Sequence, residues 1–249
     1  AVAVAFALAV VNPSAGNLGG GGFMLYYDAD DEKTFALDYR ERAPQNATEK
    51  MFLNKEGDVI EGLSLNSYLA SGVPGTVKGM FKAHNLFGSI PIENLIAPAI
   101  KIAKDGFKLS NFQATNFNKY KKKFLNGSDS ELIFIKEGGF KEGDIFIQAD
   151  LAKSLELIQS RGQKVFYEGK LADQIVEDFA QNGGLISSED LLTYKVYLKD
   201  PICGIYKEYD VCSMPLPSSG GVAIIQMLNI IENFDLKNYS HNSLEYIEL

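Results

Sequence analysis

The chain has 249 residues, with 24 basic against 32 acidic side chains, a formal net charge of −8 and a pI near 4.9. That balance argues against nucleic acid as a partner, because phosphate binding needs concentrated positive charge. An apolar content of 46% is ordinary for a globular core, and no stretch approaches the ~20 apolar residues needed to cross a bilayer. Two cysteines cannot build a disulfide scaffold and no Cys/His spacing suggests a metal, so neither metal nor cofactor is expected.

In chain order, Ala1 to Val11 is an uninterrupted apolar run. It has no basic leader, and Asn12-Pro13 stands where a signal peptide would carry a small-residue cleavage site. It reads as a buried helix cut into by the start of the sequence. The other end, Ser243 to Leu249, is amphipathic with no stop signal. The chain is therefore expected to be a piece of a longer protein. Gly16 and Gly19 to Gly22 then lead into a strand at Phe23 to Asp28. A second strand, Thr34 to Tyr39, follows the polar turn Ala29 to Lys33, which makes a hairpin.

From about residue 68 the pattern is mainly helical. Helices are expected over Pro74 to Asn85, Pro91 to Lys104, and Asn111 to Leu125 behind a Ser110 cap. Another is expected over Leu151 to Ser160 with Asp150 as N-cap, and one over Glu168 to Gln181 that stops at Gly183-Gly184. Ser187-Ser188-Glu189-Asp190 opens a short helix, and Ser219 to Asn233 forms a long apolar one. The basic run Lys119-Tyr120-Lys121-Lys122-Lys123 reads as a solvated helix face. Ile202 to Tyr206 and Tyr209 to Ser213 read as strands around Lys207-Glu208, which sets Cys203 opposite Cys212. By alternation this is a non-hydrogen-bonded pair with alpha carbons about 4.5 Å apart. Two readings stand there: a disulfide in an oxidising compartment, or a pair of small buried residues. No repeat, low-complexity tract or linker divides the chain, so one α+β domain over 1–249 is expected.

Arginine usage singles out one place. The 24 basic residues include only three arginines, Arg40, Arg42 and Arg161, and two of them fall in Leu37-Asp38-Tyr39-Arg40-Glu41-Arg42-Ala43-Pro44. Arginine grips a carboxylate through two parallel hydrogen bonds, which lysine cannot reproduce. Strand alternation puts Phe35, Leu37 and Tyr39 on one face, and Ala36, Asp38 and Arg40 on the other. Asp38 is thus placed to orient the Arg40 guanidinium toward a substrate carboxylate. The plainer reading is a structural Asp–Arg pair or a surface arginine.

The glycine run is neither a P-loop nor GxGxxG. It marks close backbone approach, to another element or to a ligand. A further turn, Met214-Pro215-Leu216-Pro217-Ser218-Ser219-Gly220-Gly221, enters the last long helix. It presents backbone N–H groups, so an anion site is one reading. A serine nucleophile would need a base, and neither His84 nor His241 has a carboxylate at a telling spacing. A serine hydrolase built from this chain alone is rejected.

Taken together, five ordered segments resemble the large subunit of the gamma-glutamyltranspeptidase (glutathione hydrolase) family. They are Ala1 to Val10, Gly16 to Phe23, Leu37 to Glu41 with Ala43-Pro44, Ala70 to Val77, and Pro215 to Gly221. Leu216 departs from the pattern, where the family usually has a further proline. The resemblance implies an N-terminal nucleophile hydrolase, a four-layer αββα sandwich made by self-cleavage of a precursor. It also implies a partner: a small subunit whose N-terminal threonine attacks the gamma-glutamyl carbonyl, with its own α-amine as base.

Thr34, Thr48, Thr76, Thr115 and Thr193 are this chain's threonines, and none stands in the family's Thr-Thr-His context. No catalytic residue is therefore expected here. Arg40 matches the family arginine that grips the α-carboxylate of the gamma-glutamyl group, whereas Arg42 takes no role. The implied substrates are gamma-glutamyl amides such as glutathione, with transfer to water, amino acids or peptides, in the periplasm or outside the cell. An acylase of the same fold acting on glutaryl-type amides, such as cephalosporin side chains, is the second reading. A non-catalytic extracytoplasmic binding protein is the third.

Overall fold

The computed structural model describes residues 1–15, 17–124 and 133–248. Gly16, Leu125 and Leu249, named above, lie outside them. The helices and strands used below are α1 (Val2–Val11), β1 (Phe23–Asp28), β2 (Lys33–Asp38), α2 (Thr76–Phe87), α3 (Ile92–Asp105) and α4 (Asn111–Lys119). They continue with α5 (Ala149–Arg161), α6 (Lys170–Gln181), α7 (Ser188–Thr193), β3 (Tyr197–Lys199), β4 (Ile202–Tyr206), β5 (Tyr209–Ser213) and α8 (Ser219–Ile231). They fall into two compact units, Ala1–Gly22 with Tyr39–Val196, and Phe23–Asp38 with Tyr197–Leu249.

The first unit is helical. Its core joins Phe6, Ala9 and Val10 of α1, Ile96, Ala99 and Ala103 of α3, and Ala152, Leu155 and Ile158 of α5, all buried. Small residues at helical spacing on α3 let its neighbours approach closely. The apolar run at the start is only half buried, because Val4 and Leu8, one turn apart on α1, are 59% and 41% exposed. Ser110 caps α4 as expected and completes a capping box, its Oγ accepting from the Gln113 N–H while Gln113 Oε1 accepts from the Ser110 N–H. That helix ends at Lys119, and a separate turn covers Lys121–Phe124.

Asp150 sits inside the first turn of α5, where its charge suits the helix dipole. The N-cap is Gln148, whose Nε2 donates to the Val10 carbonyl at 2.7 Å. A satellite cluster of Leu109, Ala114, Phe117 and Phe146 gathers Phe107, Phe134 and Phe140 around it. The lysines of the basic run are exposed, as expected.

The second unit is mainly strand. β1 and β2 pair antiparallel with Phe23 opposite Asp38, and the turn is held by Asp28 Oδ1, which accepts from the N–H groups of Asp30 and Asp31. β3, which the sequence reading did not include, adds on the other side of β2. β2 is therefore central, and Ala36, Leu37 and Asp38 are all fully buried although they alternate between faces. The later hairpin keeps its expected register, with Tyr206 opposite Tyr209 and Cys203 opposite Cys212. The two cysteines form a disulfide, with alpha carbons 4.1 Å apart. Lys207 accepts a φ of +56° to close this two-residue turn, a position where asparagine or glycine is usual. Helix α8 approaches β4 where Gly204 leaves room for Ile225. Its Ile224, Met227 and Ile230 remain 43%, 52% and 62% exposed.

Candidate functional site

Strand β2 ends at Asp38, so Arg40 lies in the extended segment just beyond it rather than on the strand itself. Arg40 is an exposed residue, and the backbone on either side of it is hydrogen-bonded. Tyr39 and Gly22 exchange hydrogen bonds, N–H to O, at 3.0 and 3.2 Å. The Arg40 carbonyl accepts from the Tyr194 hydroxyl at 2.8 Å. Arg42 and Val73 exchange another pair at 3.2 and 2.7 Å. The Gln45 N–H donates to Asp190 Oδ1 at 2.8 Å.

The glycines explain how the segment is reached. The Gly20 carbonyl accepts from the N–H groups of Gly75 and Thr76, at 2.8 and 3.0 Å, at the start of α2. A Cβ on Gly21 would stand 2.6 Å from the Tyr39 oxygen and 2.7 Å from the Glu41 nitrogen. One on Gly75 would overlap the Tyr194 hydroxyl and the Tyr39 carbonyl, and one on Gly79 would overlap the Tyr39 ring. The run is thus a place of close backbone approach, the architectural one of its two readings.

Helix α7 secures the segment from the other side. Ser187 and Asp190 form a capping box, and the Asp190 carboxylate also accepts from Gln45. Burial raises the Asp190 pKa, but the hydrogen bonds from Ser187 and Gln45 outweigh it and hold the group below the usual carboxylate range. Tyr194, at the end of α7, stacks on Tyr167 with centroids 5.9 Å apart and planes 16° apart. Tyr167 in turn donates to the Pro74 carbonyl at 3.0 Å and accepts from the Lys78 N–H at 3.2 Å. Burial pushes its hydroxyl pKa well up, so it remains a protonated donor. Lys78 Nζ donates to the Tyr194 carbonyl at 2.7 Å and lies over the Tyr167 ring. Burial lowers the Lys78 pKa, partly countered by Glu168.

Other expectations fare differently. In the second unit the fully buried Asp38 carboxylate accepts from Lys199 Nζ at 2.8 Å, and Lys199 also reaches the Leu216 carbonyl. Alternation along the strand offers only Arg40 as Asp38's neighbour. Ser218 is the N-cap of α8 without a side-chain cap bond, and Ser219 begins the helix. His84 donates from Nε2 to the Ile90 carbonyl, and the His241 ring stands 6.3 Å from that of Tyr246. Among the described residues no group of three or more His, Cys, Asp or Glu could hold a metal, and no helix is long and apolar enough to cross a membrane.

The family model described as Gamma-glutamyltranspeptidase matches residues 1–249. The chain belongs to the gamma-glutamyltranspeptidase family. Within curated relatives, it is 48% identical over 251 residues to the glutathione hydrolase proenzyme of Escherichia coli, covering 100% of this chain and 43% of that protein. The corresponding proenzyme of Pseudomonas aeruginosa is 44% identical over 258 residues, covering 100% of this chain and 44% of the relative. The chain thus spans less than half the length of these relatives. In three dimensions it is similar to Helicobacter pylori gamma-glutamyltranspeptidase, with a TM-score of 0.96 and 46% identity over 99% of this chain and 71% of that one. The expected α+β, N-terminal nucleophile hydrolase fold is borne out by that likeness. A cephalosporin acylase from Bacillus halodurans shares the fold at TM-score 0.84 and 24% identity, over 99% of this chain and 46% of that one.

The sequence reading missed Tyr194, Tyr167, Asp190 and Lys78. Asp190 carried a usable signal, since Ser187 and Asp190 have capping-box spacing. The tyrosines carried none.

Proposed function

We propose that residues 1–249 act as one domain, the large-subunit portion of a gamma-glutamyltranspeptidase. The complete enzyme cleaves gamma-glutamyl amides such as glutathione and passes the gamma-glutamyl group to water, amino acids or peptides. The nucleophile is an N-terminal threonine on a small subunit released from the same precursor. Backbone donors stabilise the oxyanion, and this chain contributes substrate binding. The relatives' description as proenzymes supports the self-cleavage part of this reading.

The observation that carries the reading is Arg40: an exposed residue on a backbone fastened on both sides, at the position of the family's carboxylate-gripping arginine. A rigid segment holds the charged fork ready, so little conformational entropy is lost when a carboxylate docks. Arg42 takes part through its backbone pairing with Val73, and no substrate role is assigned to it. A periplasmic or secreted location is proposed with it, supported by the Cys203–Cys212 bridge, since disulfides persist in oxidising compartments.

The test is expression of the full precursor. It should split into two chains and release glutamate from a gamma-glutamyl anilide, and free glutamate should compete. An uncleaved precursor with no release, or one that prefers a glutaryl anilide and ignores free glutamate, would overturn the reading.

A further inference from the structure

We infer that Tyr194 is a positioning residue for substrate binding: its hydroxyl, braced by Tyr167 and Lys78, fixes the backbone from which Arg40 reaches the substrate carboxylate. This rests on the reading of Arg40 given above and extends it to a group that does not itself touch substrate. The Tyr194 hydroxyl donates to the Arg40 carbonyl at 2.8 Å across 154 residues of sequence. Arg40 sits between the paired Tyr39 and the paired Arg42, so this bond fastens the Arg40–Glu41 peptide between two backbone pairings. A guanidinium on a long side chain aims well only when the peptide beneath it cannot rotate.

The brace itself has little freedom. The Tyr194 ring is 4% exposed and stacks on Tyr167, whose ring is 2% exposed. Lys78 Nζ holds the Tyr194 carbonyl, and Tyr167 holds Pro74, next to the Gly75 that the Tyr194 hydroxyl overhangs. Gly75 has no room for a Cβ because that hydroxyl and the Tyr39 carbonyl occupy the space. The same glycine donates its N–H to Gly20, which ties the brace to the glycine run. These contacts converge on the peptide of Arg40, and none needs the guanidinium for its own stability.

The experiment is a cycle in the full, matured enzyme with a gamma-glutamyl anilide as substrate: Tyr194→Phe, Arg40→Lys and the double variant. Tyr194→Phe keeps the ring stack and removes only the donor. KM is expected to rise about three- to tenfold, the size of one hydrogen bond, with kcat within about twofold of the parent. In the Arg40→Lys background the same change should add nothing to KM, because the lysine cannot use the aim that Tyr194 gives. Ser110→Ala is the control: it loses the cap of α4, which has no part in holding Arg40, so Tm falls while KM stays.

If Arg40→Lys raises KM but Tyr194→Phe lowers only Tm, the Arg40 reading stands and this inference fails. An equal rise in KM from Ser110→Ala, or the same rise from Tyr194→Phe in both backgrounds, also overturns it. If Arg40→Lys itself leaves KM unchanged, the underlying reading is what has failed. Should Tyr194→Phe not mature, Lys78→Met takes its place, with the same expectation in the cycle.

Discussion

Gly21→Ala is expected to damage the protein where Gly19→Ala, two residues away in the same run, does not. A Cβ at Gly21 would meet the Tyr39 oxygen at 2.6 Å and the Glu41 nitrogen at 2.7 Å, both backbone atoms with no rotamer to escape into. At Gly19 the nearest atom is Asn17 Oδ1 at 3.5 Å, an ordinary contact. Neither glycine has a positive φ, so conformation does not separate them. Overpacking costs about 1–3 kcal/mol, and a clash with two backbone atoms belongs at the upper end. Alanine also restricts the unfolded chain, which favours folding by about 0.4–1 kcal/mol. The net expectation is about 2 kcal/mol lost for Gly21→Ala, and no loss or a small gain for Gly19→Ala.

At about 2–4 °C per kcal/mol for a domain of this size, the first variant should melt roughly 4–8 °C lower. Thermal unfolding followed by circular dichroism reads the difference. A substrate titration should add a raised KM for Gly21→Ala, because Arg40 lies between the two displaced atoms. Equal melting temperatures for the two variants would refute the close-approach account of the run.

Asp190→Asn is expected to cost about 2 kcal/mol at pH 7, because the amide replaces a carboxylate that accepts from Gln45 and Ser187. The folded pKa is depressed, so this stability is present above the ordinary carboxylate value of about 4 and is lost as pH falls through the folded value. Denaturant titrations of both proteins should therefore converge in acid, and a gap that stays constant down to pH 2 would contradict the assignment. Reduction of Cys203–Cys212, which closes a loop of sequence separation 9, should add two hydrogens to the intact mass and cost about 2–3 kcal/mol of stability. An unchanged mass after reduction would show that the bridge is absent.

The hairpins and the main helices were legible because local signals specify them. The polar turn after Asp28 and the alternation on either side fix β1 and β2, and the hairpin count places Cys203 against Cys212. What escaped depends on long-range meetings. β3 is three residues long and gains its strand character only by pairing with β2. Ala36, Leu37 and Asp38 are buried on both faces of β2, so alternation along the strand could not show that Asp38 would find Lys199. Most helix boundaries moved by one or two residues, as at α5, where Gln148 donates to the Val10 carbonyl, whereas α4 stops at Lys119, well short of its expected end. At the candidate site, Arg40 was legible from residue choice and motif. The hydroxyl that holds its peptide was not, because 154 residues separate Tyr194 from Arg40.

The most direct test of the central claim is the KM of Arg40→Lys, made in the full precursor and measured on a gamma-glutamyl substrate. Truncating one partner of a hydrogen-bonded charge pair at a binding site costs about 2–5 kcal/mol. KM should therefore rise about 30-fold or more while the precursor still cleaves into its two chains. An unchanged KM in a normally cleaved enzyme would show that Arg40 does not hold the substrate carboxylate.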